Sequence, residues 1–378
     1  MKRCTRPPEG DVLGSVSSKA RLVLEDGAVF EGRAFGAAAP AAGEVVFNTG
    51  MTGYPEALTD PSYRGQILVL TYPLAGNYGV PGYELDEFGL RKHFESDSLH
   101  LSGLVVSEAC SACSHHSATT SLSRWLEAEG VPGIEAVDTR AITRRLRGSG
   151  VMPGKIVSGD SDTAFFDPNT TDLVSAVTCG AISRMKPLDG DCPVVVLVDC
   201  GCKNGIVRSL LSRGLEVVRV PSTSYFLDLD FDGLVVSNGP GDPSMCQAAA
   251  RNVERALALG RPILGICLGH QLLALAAGAE TTKLRFGHRG QNQPCVLEPG
   301  GSRCFMTSQN HGYAVREETL PAEWRVWFRN LNDETVEGIR HLTRPFMGVQ
   351  FHPEGRPGPP DTSWVFDEFD SLVRSRHP

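Results

Sequence analysis

The chain of 378 residues lacks any apolar run near the roughly 20 residues a transmembrane helix requires. Its longest apolar stretches, such as Val194 to Val198, are of strand length, so no membrane span is expected. An excess of positive charge is also missing. Lys and Arg total 36 against 44 Asp and Glu, a net charge of -8, which argues against a broad face for nucleic acid or an anionic bilayer. Small metabolites or another protein are the expected partners. The 11 cysteines are too sparse and odd in number for a disulfide scaffold, and no secretory signal precedes them, so a reduced, cytoplasmic protein is expected. Residues 1-18 have Lys2, Arg3 and Arg6 but no apolar segment after them, and read as a flexible tail. There is no Gly-x-x-x-x-Gly-Lys-Ser/Thr phosphate loop, no internal repeat and no low-complexity tract. No nucleotide site is therefore assigned to this chain.

What is present is a globular composition, with 41% hydrophobic and 21% charged residues, at a length that calls for two domains. The first half opens with two short strands around an Asp26-Gly27 turn, followed by short β runs at 44–48, 66–71 and 101–106. Helical spacing at 122–129 and 139–147 makes residues 19-175 a mixed α+β domain. Residues 176-192 have the Asp, Gly and Pro content of a linker, with the boundary near residue 190. From 193 to 378 the texture changes. Apolar strands at 194–199, 216–220, 233–237, 262–266 and 347–351 alternate with helices at 205–213, 247–259 and 268–277, which predicts an α/β domain with a doubly wound, mostly parallel sheet.

The strongest local signal is Gly265-Ile266-Cys267-Leu268-Gly269, where a strand turns directly into a helix. This is a nucleophile elbow with cysteine in the serine position. Glycine on either side permits the tight turn, and the sulfur is expected to be exposed at a helix amino end, where the dipole favours the thiolate. A nucleophile needs a base, and the base an orienting group. His352 and Glu354, in Phe351-His352-Pro353-Glu354, follow another strand of the same sheet and supply both. Parallel strands open their carboxyl ends onto one crevice, so Cys267 and His352 converge there despite their separation in sequence. Asn238-Gly239-Pro240-Gly241-Asp242-Pro243 follows a third strand and, with the Leu268 amide, can point donors at an oxyanion. His270, His288 and His311 are expected to serve packing or backbone bonding.

These three motifs, in that order, resemble the class I (triad) glutamine amidotransferase domain. Gly43-Glu44-Val45-Val46-Phe47-Asn48-Thr49-Gly50-Met51-Thr52-Gly53-Tyr54, Leu58-Thr59-Asp60-Pro61-Ser62-Tyr63 and Val137-Asp138-Thr139-Arg140 resemble the amino-terminal domain of the carbamoyl phosphate synthetase small subunit. The resemblance covers nearly the whole chain from about residue 20. It implies a glutaminase in which Cys267 forms a γ-glutamyl thioester, His352 moves the protons and Glu354 orients His352. It further implies that L-glutamine is held by Ser62, Gly239, Gly241, Leu268, Gln271, Asn310, Gly312 and Tyr313, reading its zwitterionic end without a buried charge. A large subunit that binds ATP, magnesium and bicarbonate would receive the ammonia and make carbamoyl phosphate for arginine and pyrimidine synthesis, in a heterodimer open to higher assembly. This chain itself would need no cofactor and no metal.

Gly355-Arg356 departs from the Ala-Ser usual in the family just past the triad, which should alter the rim more than the chemistry. Cys110-Ser111-Ala112-Cys113-Ser114-His115-His116 has metal-ligand residue types but no second, distant pair, and reads as a cysteine-rich surface loop. Two other functions use the same fold: a standalone thiol hydrolase of γ-glutamyl compounds, and a scaffold that has kept the fold without the chemistry. The amino-terminal domain disfavours the first, and an intact Cys267, His352 and Glu354 set disfavours the second.

Overall fold

The computed structural model describes residues 19–159, 161–187, 192–301 and 303–376. The tail expected at 1-18 and the centre of the linker near residue 190 lie outside them.

Strands of the first half close on themselves. Lys19–Leu24, Met152–Ser158, Ala41–Asn48, Gln66–Leu70, Gly103–Val105, Pro132–Glu135 and Val29–Gly36 form a closed barrel in that order around the ring. The Asp26-Gly27 turn joins the first two strands, whose register runs Leu22 opposite Phe30. Along Ala41–Asn48 and Gln66–Leu70 neighbouring residues serve different cores: Val45, Phe47, Ile67 and Val69 join one, Val46, Leu68 and Leu70 the other. A strand buried on both faces has to be apolar at successive positions, which is why these runs are continuous rather than alternating. Helix Thr139–Ser149 covers one core through Ile142 and Leu146, and helix Leu122–Ala128 the other through Leu122, Trp125 and Leu126.

The second half is built on a 10-stranded sheet. Its parallel part is Glu216–Pro221, Val194–Asp199, Gly233–Val236, Ile263–Ile266 and Phe346–Val349, in that spatial order. Val196, Val198, Leu234 and Val236 pack into one core, with helices Gln247–Leu259 and Leu268–Ala276; Val195, Leu197, Val235 and Leu264 pack into another, with helices Asn204–Leu211 and Trp364–Arg374. Helices on both faces confirm the doubly wound arrangement. The sheet continues past Phe346–Val349 as antiparallel strands that sequence reading leaves unassigned: Val336–His341, Cys304–Val315, Thr281–Leu297 and Trp324–Asn330. At the opposite edge, Ser183–Met185 pairs antiparallel with Glu216–Pro221, so part of the expected linker is sheet.

Candidate active site

Three loops at the carboxyl ends of adjacent parallel strands meet, and each carries one part of the site. Cys267 follows Ile263–Ile266 and caps helix Leu268–Ala276 with φ 54° and ψ -106°, a conformation that costs a non-glycine residue roughly 1–3 kcal/mol. The amide of Cys267 donates to the Val349 carbonyl at 2.8 Å, tying the elbow to the strand that leads to His352. Both flanking glycines are required by contact: a Cβ on Gly265 would lie 2.5 Å from the Gly269 carbonyl, and one on Gly269 would lie 2.0 Å from the Val236 carbonyl. The turn therefore packs directly on the neighbouring strand. The sulfur is buried, not exposed as expected, because strand Cys304–Val315 covers it; the thiol donates to the Asn310 carbonyl at 3.6 Å.

His352 and Glu354 lie in contact, and a third residue explains their charges. His352 Nδ1 lies 2.7 Å from Glu354 Oε1, and Lys203 Nζ donates to the same oxygen at 2.8 Å. The Lys203 side chain is 2% exposed and that of Glu354 0%. Burial alone would push the carboxyl up, yet Lys203 and His352 hold Glu354 below the ordinary carboxylate range. Burial likewise opposes charge on His352, but Glu354 outweighs it and raises the imidazole. Its Nε2 is buried without a hydrogen-bond partner, on the side of Cys267. The arrangement is a protonatable imidazole, oriented by a carboxylate, beside a thiol. Lys203 lies in a polar Cys-Lys-Asn stretch just before a helix, where no sequence signal separates it from a surface residue.

Around Cys267 the structure gathers Ser62, Gly239, Gly241, Leu268, Gln271, Asn310, Gly312 and Tyr313 as the lining of a single pocket. Gln271 Nε2 donates to the Tyr313 carbonyl and to Gln350 Oε1, both at 3.0 Å, which fixes its amide. The Leu268 amide is the first of its helix and has no acceptor within it. The Gly241 amide makes no hydrogen bond among the described residues. Both amides belong to residues that line the pocket with Cys267.

The pocket is closed by the first half of the chain. Asp60 caps the turn Pro61–Tyr63 by accepting from the Ser62 amide at 2.9 Å, and its other oxygen accepts from Asn310 Nδ2 at 3.0 Å. Asn238 Nδ2 donates to Ser62 Oγ at 3.0 Å. Asp60 is thereby the junction between barrel and sheet. From the segment before the linker, Asn169 accepts the Tyr313 hydroxyl proton at 3.0 Å. Glu44, Lys283 and Arg289 also line the pocket, contrary to the expectation of a site without buried charge. Glu44 lies within a segment whose resemblance is legible; Asn169 and Arg289 reach the pocket through tertiary contacts that spacing does not reveal.

The remaining histidines divide. His288 is not a packing residue: it lies 2.8 Å from Asp333 and 3.1 Å from Glu337, and although burial opposes its charge, these carboxylates hold it up at about 9. His288, His311 and Glu337 each place a ligand atom within 4.8 Å of the others, the one such group among the described residues. With both His288 nitrogens facing carboxylates, a proton there already supplies the positive charge. The Cys110, Cys113, His115 and His116 loop does not converge in this way; the His115 and His116 rings lie with centroids 4.2 Å apart and planes tilted by 37°.

Fold and site together define a class I glutamine amidotransferase, and the model of that family, "Glutamine amidotransferase class-I", matches residues 196–372. A second model, "Carbamoyl-phosphate synthase small chain, CPSase domain", matches residues 22–156. The chain is 48% identical over 364 residues to the carbamoyl phosphate synthase arginine-specific small chain of Aspergillus oryzae, covering 94% of this chain and 80% of that protein. It is 49% identical over 360 residues to the multifunctional protein CAD of Squalus acanthias, covering 94% of this chain but 16% of that protein. A similar match to the multifunctional protein pyrABCN of Emericella nidulans, at 46% identity, covers 97% of this chain and 18% of that protein. The chain belongs to the carbamoyl phosphate synthase small-chain family.

Proposed function

We propose that this chain is the glutaminase subunit of a glutamine-hydrolysing carbamoyl phosphate synthase. Once its proton has passed to His352, Cys267 Sγ attacks the side-chain amide carbon of L-glutamine as the thiolate, and the developing oxyanion is met by the Leu268 amide and by an amide of the Gly239–Gly241 loop. His352, held in its charged form by Glu354, gives a proton to the departing ammonia, leaving a γ-glutamyl thioester. The neutral imidazole then takes a proton from water, which adds to the thioester; collapse releases glutamate and returns the thiol. Ser62, Gly239, Gln271, Asn310, Gly312 and Tyr313 hold the substrate.

The ammonia passes to a large subunit that binds ATP, magnesium and bicarbonate and forms carbamoyl phosphate for arginine and pyrimidine synthesis, in a heterodimer working in the cytoplasm. Among the described residues no helix is long and apolar enough to cross a membrane. The observation that carries the reading is that Cys267 lines one pocket with the eight residues matched to the family's glutamine contacts, while His352, 2.7 Å from Glu354, backs it. Cys267→Ser tests it: glutamine-driven carbamoyl phosphate formation by the complex is lost, while free ammonia still supports it. Glutamine use that survives the substitution would remove Cys267 as nucleophile.

A further inference from the structure

Arg289 lies opposite Asn310 in the register of Thr281–Leu297 with Cys304–Val315, and both line the pocket. It is 4% exposed. Among the described residues the one hydrogen bond of its side chain runs from Nη1 to the Phe286 carbonyl at 2.8 Å; Nε is buried without a partner, and no carboxylate lies within ion-pair distance. The other charges of the pocket are already matched. Lys283 Nζ lies 2.7 Å from Glu44 Oε1, and Glu44 also accepts from Gln66 at 3.1 Å and from Asn169 at 3.2 Å. One cation is therefore left over. Room is kept beside it: a Cβ on Gly312 would stand 3.4 Å from Nη2, and one on Gly287 would stand 2.6 Å from Nη1. A buried charge without a counter-ion is costly unless something supplies one, and burial does pull the Arg289 guanidinium below its ordinary pKa.

A substrate whose amide reaches Cys267 brings the missing anion at its other end. We infer that Arg289 is a specificity-determining residue that binds the α-carboxylate of the amide substrate. This rests on the glutaminase reading above. A guanidinium presents paired donors that match a carboxylate, and a site left with that cation unpaired rejects an amide lacking the group. A merely structural Arg289, pinning the turn at Phe286, would not distinguish the two ligands.

The test compares glutamine with 4-aminobutanamide, which is glutamine without its α-carboxylate, using the chain in complex with its synthetase partner. Wild type, Arg289→Gln and Arg289→Lys are assayed for kcat and KM with glutamine and for Ki with 4-aminobutanamide as competitor. Arg289→Gln should raise the glutamine KM about a hundredfold with a small change in kcat, and shift the 4-aminobutanamide Ki by less than about twofold. Arg289→Lys should recover part of the loss, and serves alone if the Gln variant does not fold. Equal weakening of both ligands, or no change for glutamine, overturns the inference while leaving Cys267-dependent hydrolysis intact. A wild-type complex unable to use glutamine would instead take down the glutaminase reading and this inference with it.

Discussion

The triad and the pocket it serves are built by different parts of the chain. Cys267, His352, Glu354 and the supporting Lys203 all come from loops and elements of the second half, and their mutual contacts stay within it. The pocket draws on both halves: Ser62, Asp60 and Glu44 from the barrel side meet Asn238, Asn310 and Lys283 from the sheet side. The reacting groups are thus a property of one sheet's crevice, whereas substrate recognition depends on how the barrel docks against it. Catalytic rate and substrate affinity should separate accordingly under mutation.

The largest effect should come from the triad. His352→Asn removes the proton donor and is expected to lower kcat by about 10²–10⁴-fold with little change in KM, read from steady-state glutamine hydrolysis. Lys203→Met attacks the same region through charge: it leaves buried Glu354 with His352 as its one cationic partner among the described residues, and a loss of about 3–5 kcal/mol of stability is expected in denaturant titrations, together with a lower kcat. Asp60→Asn tests the junction instead. One oxygen of Asp60 accepts from the Ser62 amide and the other from Asn310, so replacing one with an amide donor should cost about 1–3 kcal/mol, seen chiefly as a raised glutamine KM. If Asp60→Asn lowered kcat alone, the division between the two regions would fail.

The smallest effect concerns a buried charge outside both. His288 is held up at about 9, above its unfolded value of about 6.5, so its contribution to stability is complete below pH ~6.5 and disappears as pH rises through about 9. Wild type should lose stability across that interval in pH-dependent melting, and His288→Gln should flatten the slope. Its partner Asp333, lowered to about 2, contributes above pH ~4 and loses that contribution as pH falls towards 2.

Much of this site is legible from sequence because its chemistry is local. An elbow needs glycines at fixed places beside the nucleophile, and His352 and Glu354 are two residues apart, so spacing alone brings them together. The parallel strands are legible because burial on both faces makes them continuously apolar. The antiparallel strands are not: Thr281–Leu297 carries Gly287, Gly290, Asn292 and Pro294 and has register shifts opposite Cys304–Val315, which hide any alternation. Lys203, Asn169 and Arg289 act only through tertiary contact, and the burial of Cys267 depends on a strand 43 residues away. In each case the missing information was the packing of one element on another.

The most direct test of the account is to quench the complex with acid during steady-state turnover of isotopically labelled glutamine and map the adduct by mass spectrometry. Label carried as a γ-glutamyl group on the peptide containing Cys267, absent from Cys267→Ser, is the predicted result. Sustained glutamine hydrolysis with the adduct on another residue would contradict the assignment of the nucleophile and of the pocket built around it.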